Sequence, residues 1–174
     1  MATLLDVLTT TRTQLQKATA ELARASVRAS TQLRQGMSCE AQIRQFTLAV
    51  DEPSALGGAN TGPTPVELVL AALGTCQEII YVIYAALEGV ELRGVRIEVT
   101  GELDPRGVFG VADVPVGVDG IRYEVMIDSP EDPARVAQLV RTVDRHCPVL
   151  DMLRRPLSVT RQASLNGAAL AVDG

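Results

Sequence analysis

The side chains that could act as nucleophiles, bases or metal ligands include those of three cysteines, Cys39, Cys76 and Cys147, and of one histidine, His146. No two cysteines form a C-x-x-C pair, which argues against a thioredoxin-like motif and against a zinc ribbon. One histidine cannot supply a site that needs two or more, so most catalytic zinc sites are excluded. A cysteine without further context is most often a small apolar core residue. Thiol chemistry at any of the three therefore needs support from the surrounding sequence.

Composition indicates one globular domain with an acidic surface. The chain has 174 residues, is 47% hydrophobic and 21% charged, and carries a net charge of −5. A negative net charge disfavours sequence-independent binding to nucleic acid and to anionic membranes. Only 3% of residues are aromatic, so a stacking platform for single-stranded nucleic acid is not expected. The odd cysteine count and the absence of a signal-like N-terminus predict a cytoplasmic protein with reduced thiols.

The N-terminal part is predicted to contain an arm and two strands. Residues 3–20 have the pattern of a short amphipathic helix, so we predict a helical arm over residues 1–20 and a single domain over residues 21–174. Residues 23–33 and 38–50 alternate moderately between polar and apolar types. We expect them to form two antiparallel strands that meet near residues 35–36.

A long central helix is predicted from Pro65 to about Glu88. Thr64 and Glu67 fit a capping box around a proline at the first helical position, and Gly89 is a typical stop. The segment is long and apolar enough to span a bilayer. Its internal acidic residues and the lack of positive charge close to its N-terminal side instead favour a buried helix, so no membrane partner is expected.

The C-terminal half is predicted to add strands and a second helix. Residues 94–103 and 121–128 alternate as strands, separated by a Gly-rich loop. A helix is predicted from residue 129 to His146, followed by one further turn over 149–153 and a strand over 157–165. Pairing of these strands as hairpins predicts an α+β fold, with helices packed on antiparallel sheet.

Two segments together resemble the OsmC/Ohr family of thiol-dependent peroxidases. They are GGANTGPTPVELVLAALGTC at residues 57–76 and the Cys-Pro-Val sequence at residues 147–149. The resemblance covers roughly residues 40–160 and is nearer the general OsmC-like branch than the organic hydroperoxide resistance branch. It implies an OsmC-like fold with a long central helix, assembled as an intertwined homodimer.

The resemblance also implies a reaction. Cys76 would attack a hydroperoxide as a thiolate and become a sulfenic acid, and Cys147 would then form a disulfide with it. A dithiol, either a small thiol or a lipoyl-type protein, would reduce that disulfide. No metal, flavin or haem is required, and the expected role is defence against oxidative or osmotic stress. Cys39 is expected to be structural.

Activation of Cys76 requires a nearby cation. Cys76 would be the twelfth helical residue, too far from the N-terminus for the helix dipole to act strongly. The resemblance implies an arginine from an early strand, for which Arg34 is the nearest counterpart and Arg44 the runner-up. In the organic hydroperoxide branch a glutamate directly follows the helix-start proline. Here Val66 occupies that place and Glu67, one residue later, is the candidate, with helix capping as its alternative role.

Two other functions remain open at this point. The same fold could bind a small lipophilic ligand in its dimer pocket without catalysis, which the replacement by Val66 would favour. A Cys76-based hydrolase is the third possibility, and it would need His146 as its base. His146 is expected instead to lie exposed at a helix end, because neighbouring helical residues point about 100° apart.

Overall fold

The protein is described by a computed structural model that covers residues 2–172. Met1 of the predicted arm and residues 173–174 of the predicted domain lie outside the described residues. The helices are α1 (Leu4–Lys17), α2 (Pro65–Glu88), α3 (Pro105–Val108), α4 (Pro133–His146) and α5 (Pro148–Arg154). The strands are β1 (Ser30–Gln35), β2 (Ser38–Ile43), β3 (Phe46–Val50), β4 (Gly94–Leu103), β5 (Val118–Asp128), β6 (Ala163–Leu165) and β7 (Ala168–Leu170).

Helix α2 begins and ends where local chemistry predicts. The Glu67 amide donates to Thr64 Oγ1 at 3.2 Å, and the Thr64 amide donates to Glu67 Oε2 at 2.7 Å. These two bonds form the predicted capping box, which satisfies backbone donors that have no partner within the helix. Gly89 ends the helix in a left-handed conformation with φ 65°. The predicted boundaries of this helix are confirmed.

The core lies between α2, α4 and the β4–β5 hairpin. The two strands pair antiparallel, and alternate residues of β5 point toward the helices. One apolar cluster is centred on Tyr81, Leu139 and Val143, which are fully shielded from solvent. A second cluster contains Leu73, Cys147 and Leu150. The sheets are antiparallel and the helices cover one side, so the α+β prediction is confirmed.

The N-terminal strands differ from the prediction. Strand β1 starts only at Ser30, so the predicted strand over 23–33 is too long at its beginning. Residues 38–50 are two strands rather than one, because the chain turns at Arg44, which has φ 55°. Ile43 pairs with Phe46 across that turn. A left-handed arginine carries no strong sequence signal, since glycine and asparagine are the usual residues there.

The C-terminal elements are also shifted. Helix α4 begins at Pro133 with Asp132 as its cap, later than the predicted residue 129, and β5 begins three residues earlier than predicted. The predicted strand over 157–165 is reduced to β6, which pairs with β7 across Asn166 and Gly167. Both turn residues have positive φ, the conformation that Asn-Gly favours in two-residue hairpins.

Helix α2 is covered on only one side in the single chain. Its shielded residues include Leu73, Gln77 and Tyr81, whereas the apolar Ile79 and Val82 are 61% and 45% exposed. The helix has the length and hydropathy of a membrane span, with a mean hydropathy of 1.7 over its most apolar window. Its packing against β4 and α4 nevertheless makes it the core helix of this fold. Helix α1 contacts α2 and has no buried residue.

Candidate active site

Cys76 and Cys147 lie together although 71 positions separate them. Cys76 is in the middle of α2, and Cys147 occupies the junction between α4 and α5. Their Sγ atoms are 3.5 Å apart, with the Cys147 thiol donating toward Cys76. A disulfide has an S–S length of about 2.05 Å, so the two atoms need to approach by only about 1.5 Å. The arrangement is that of a dithiol ready to close.

Proline and capping explain why Cys147 lies at this junction. Pro148 is the first residue of α5, and Cys147 serves as the cap of that helix. The Leu150 amide points at Cys147 Sγ at 3.5 Å, and the side chain of Cys147 is 1% exposed. Proline disfavours helical geometry in the residue before it, so the chain must bend at this cysteine.

The two thiols have different surroundings. Burial raises the pKa of the Cys147 thiol, and the contact with Cys76 adds to that effect, against the hydrogen bond from the Leu150 amide. Cys147 is therefore held as a neutral thiol at physiological pH. Cys76 is only partly buried. Because thiolates are the attacking form and access is needed, the geometry favours Cys76 as the nucleophile and Cys147 as its partner.

A partly buried polar cluster lies beside the cysteine pair. The Tyr123 hydroxyl donates to Asp144 Oδ1 at 2.9 Å, and Gln77 Nε2 lies 3.5 Å from the same oxygen. Gln77 Oε1 and the Tyr81 hydroxyl are buried and have no hydrogen-bond partner among the described residues. Burial and the interaction with Asp144 raise the pKa of Tyr123 to about 12, and burial also raises that of Tyr81. Both tyrosines stay neutral at physiological pH.

The predicted accessory residues contact groups other than the two thiols in the single chain. Arg34 lies on β1 and forms an ion pair of 2.5 Å with Glu40 on β2. The three N-terminal strands pack chiefly against one another. Arg44, at the β2–β3 turn, lies over the ring of Phe46. Glu67 is engaged in the capping box of α2.

His146 and Arg154 also lie near the junction of α4 and α5. His146 Nδ1 lies 2.8 Å from the Thr142 carbonyl oxygen, and the His146 ring packs on Tyr84. These contacts are not those of a hydrolase base that bonds to Cys76. The sequence analysis missed Arg154, which lowers the pKa of Tyr123 by its charge and lines a cavity of about 410 Å³ with Tyr123 and Leu150. In the sequence, the position of Arg154 about two helical turns after Cys147 is the signal that could have placed it near this cysteine.

Comparison with known proteins assigns the chain to a family. The sequence profile described as OsmC-like protein matches residues 57–161, more than half of the chain and both Cys76 and Cys147. The chain belongs to the OsmC-like protein family. The resemblance in the sequence is thereby confirmed. No curated protein is significantly similar to this OsmC-like chain.

Solved structures confirm the fold of this OsmC-like protein. An OsmC-like protein from Mycoplasma pneumoniae is 20% identical, with a TM-score of 0.65 over 75% of this chain and 88% of its own. The organic hydroperoxide resistance protein OsmC of Legionella pneumophila is 19% identical, with a TM-score of 0.58 over 75% of this chain and 92% of its own. The organic hydroperoxide resistance protein OhrB of Bacillus subtilis is 17% identical, with a TM-score of 0.51 over 75% and 91%. Both branches are represented, so the placement in the general OsmC branch stays a prediction.

Proposed function

We propose that this OsmC-like protein is a thiol-dependent peroxidase that reduces organic hydroperoxides or hydrogen peroxide. The observation that supports it most is the 3.5 Å contact between Cys76 and Cys147, two cysteines carried by different elements. Relatives of similar fold include proteins of organic hydroperoxide resistance. We further propose a role in stress defence and a cytoplasmic location, where thiol reductants are available.

The proposed reaction has three balanced steps. The Cys76 thiolate attacks the terminal oxygen of the hydroperoxide and the O–O bond breaks, which leaves a Cys76 sulfenic acid and an alkoxide or hydroxide that takes a proton from solvent to become an alcohol or water. The Cys147 thiol then attacks the sulfenic sulfur, which forms the disulfide and releases water. A dithiol, either a small molecule or a lipoyl-type protein, reduces the disulfide by thiol exchange and is itself oxidised. The chain supplies both sulfur atoms and needs no resident cofactor for these steps.

We propose that the active form is an intertwined homodimer. In the single chain, one side of α2 presents Val69, Ile79 and Val82 to solvent, and the β6–β7 hairpin packs chiefly on itself. A second chain would bury such surfaces, since an isolated two-stranded hairpin is only marginally stable in water. In that assembly we propose the partner's Arg34 as the cation that activates Cys76. Glu67 is the proposed carboxylate that orients this arginine, in addition to capping α2.

A non-catalytic binding module is the alternative. It is favoured by one observation, that Glu67 is occupied in capping α2 rather than orienting an arginine within the chain. Such a module would bind a small lipophilic ligand and would not depend on its thiols. Saturable binding of an apolar probe that is unchanged in Cys76→Ser, together with no peroxide consumption by the parent, would favour this function.

The test is the consumption of cumene hydroperoxide with dihydrolipoamide as the reductant. Cys76→Ser is expected to lose turnover, because the attacking atom is replaced. Cys147→Ser is expected to turn over more slowly with the dithiol and, in the absence of reductant, to keep Cys76 as a sulfenic acid after one turnover. Cys39→Ser is the matched control, since Cys39 lies on β2 and bonds only weakly to the Met37 carbonyl. Consumption by Cys76→Ser at the rate of the parent would overturn the proposal.

A further inference from the structure

Asp144 joins three elements beside the cysteine pair. It lies on α4, three residues before Cys147, and its Oδ1 atom accepts the hydroxyl of Tyr123 from β5. The same oxygen faces Nε2 of Gln77 on α2. Gln77 directly follows Cys76, and Asp144 lies in the last helical turn before Cys147. The Asp144 carboxylate therefore connects the two helices that lead to the two thiols.

Tyr123 extends this connection to the packing around the thiols. Its ring packs against the apolar cluster of Leu73, Cys147 and Leu150, while its hydroxyl is held by Asp144. The Tyr123 ring thus forms part of the packing around the cysteine pair. Its position depends on the hydrogen bond that its hydroxyl donates to Asp144. Arg154 of α5 lines the same cavity as this tyrosine.

The cluster is not what packing alone would favour. Gln77 Oε1 and the Tyr81 hydroxyl are buried beside Asp144 without a hydrogen-bond partner among the described residues. Buried polar atoms that lack partners lower the stability of a fold, and apolar residues of similar volume would avoid that cost. The unpaired atoms of Gln77 and Tyr81 therefore argue against a purely stabilising role for the cluster that Asp144 joins.

We propose that Asp144 is a positioning residue that holds Cys76 and Cys147 at the separation from which their disulfide closes. The inference rests on the proposed function, since it assumes that the pair cycles between dithiol and disulfide. Asp144 acts through Gln77 and Tyr123 and does not itself contact a reacting sulfur. By fixing α2 and β5 against α4, it raises the effective concentration of one thiol at the other.

The test is the dithiol–disulfide equilibrium of the full-length protein in glutathione redox buffers, with the Cys76–Cys147 link quantified by peptide mapping. Asp144→Ala removes both hydrogen bonds and is expected to lower the equilibrium constant for disulfide formation at least tenfold, a rise of about 30 mV in reduction potential. Asp144→Asn keeps an oxygen that can accept both bonds and is expected to stay within threefold of the parent. Asp151→Ala is the matched control, because Asp151 is an exposed acid near Cys147 that pairs with Arg155.

This equilibrium separates positioning from a general effect on stability. A substitution that weakens the fold equally in both redox states leaves the constant unchanged, whereas one that releases the thiols lowers it. Equal equilibrium constants for disulfide formation in Asp144→Ala and the parent would overturn the inference. An Asp144→Asn variant whose constant is lowered as much as that of Asp144→Ala would also overturn it. If Asp144→Ala does not fold, Tyr123→Phe carries the test, with an expected loss of about threefold, and an unchanged constant there overturns the inference.

Failure of the proposed function would appear separately, in the parent. A parent that forms no Cys76–Cys147 disulfide in any of the buffers would contradict the peroxidase mechanism itself. A parent that forms the disulfide, with variants that match it, would leave the mechanism intact and remove only the role of Asp144.

Discussion

Removal of either of two hydroxyl groups from the same polar cluster should affect stability differently, with a loss for one and no loss for the other. The Tyr123 hydroxyl donates to Asp144 at 2.9 Å, whereas the Tyr81 hydroxyl is buried and has no partner among the described residues. Tyr123→Phe and Tyr81→Phe each delete one oxygen atom and preserve the ring. The two variants therefore differ in whether a hydrogen bond is lost, and hardly in packing.

The magnitudes follow from the state of each hydroxyl. A hydrogen bond to a charged group contributes about 2 kcal/mol to stability, so Tyr123→Phe should lower the free energy of unfolding by about that amount. Tyr81→Phe removes a buried group that gains nothing from the protein in exchange for its lost hydration. Its free energy of unfolding should be unchanged or higher by about 1 kcal/mol.

The assay is urea unfolding of the reduced protein at pH 7, with each variant at the same chain concentration so that assembly contributes equally. The slope of the transition should be the same for the three proteins, because the folded surface is the same. A Tyr81→Phe variant that loses as much stability as Tyr123→Phe would refute the difference between the two hydroxyls. It would show that the Tyr81 hydroxyl has a partner in solution.

Two further predictions concern the buried carboxyl group of Asp51 and the buried thiol of Cys147. The buried Asp51 accepts hydrogen bonds from the Glu52, Ala59 and Thr61 amides and the Thr61 hydroxyl, which together outweigh burial and lower its pKa. The contribution of Asp51 to stability is therefore present above about pH 4 and is lost as pH falls through the lowered pKa. Asp51→Ala should accordingly lower the urea midpoint more at pH 7 than at pH 3. Equal losses at the two pH values would contradict this. The raised pKa of Cys147 predicts the reverse dependence: the neutral thiol contributes stability below about pH 8.5 that is lost as pH rises through the raised value. In the reduced protein at pH 8, iodoacetamide should modify Cys147 at least tenfold more slowly than Cys76 or Cys39 by mass spectrometry, and equal rates would show that Cys147 is accessible.

The features that were predictable from the sequence are local ones. The capping box at Thr64 and Glu67 and the stop at Gly89 defined α2, because each signal acts within one helical turn. The strands β4 and β5 followed from alternation with period two. The placement of Cys76 and Cys147 was expected only from the family resemblance, since no local signal reports a contact across 71 positions.

The features that were missed depend on tertiary contacts or on weak turn signals. Gln77 and Tyr81 face the core although both side chains carry polar groups, and the apolar Ile79 faces solvent in the single chain, which the pattern of α2 alone does not predict. Asp144 was not singled out, because only the packing of α4 against α2 and β5 turns it inward. The turn at Arg44 carries no strong signal in the sequence, whereas Asn166-Gly167 is a typical two-residue hairpin turn.

The central claim is that Cys76 and Cys147 form a redox pair, and a thiol count tests it most directly. The reduced parent has three thiols, and one equivalent of cumene hydroperoxide should lower that number to one. Peptide mapping by mass spectrometry should then find a Cys76–Cys147 link, with Cys39 still free. Three remaining thiols, or an overoxidised Cys76 without any link to Cys147, would contradict the redox pair.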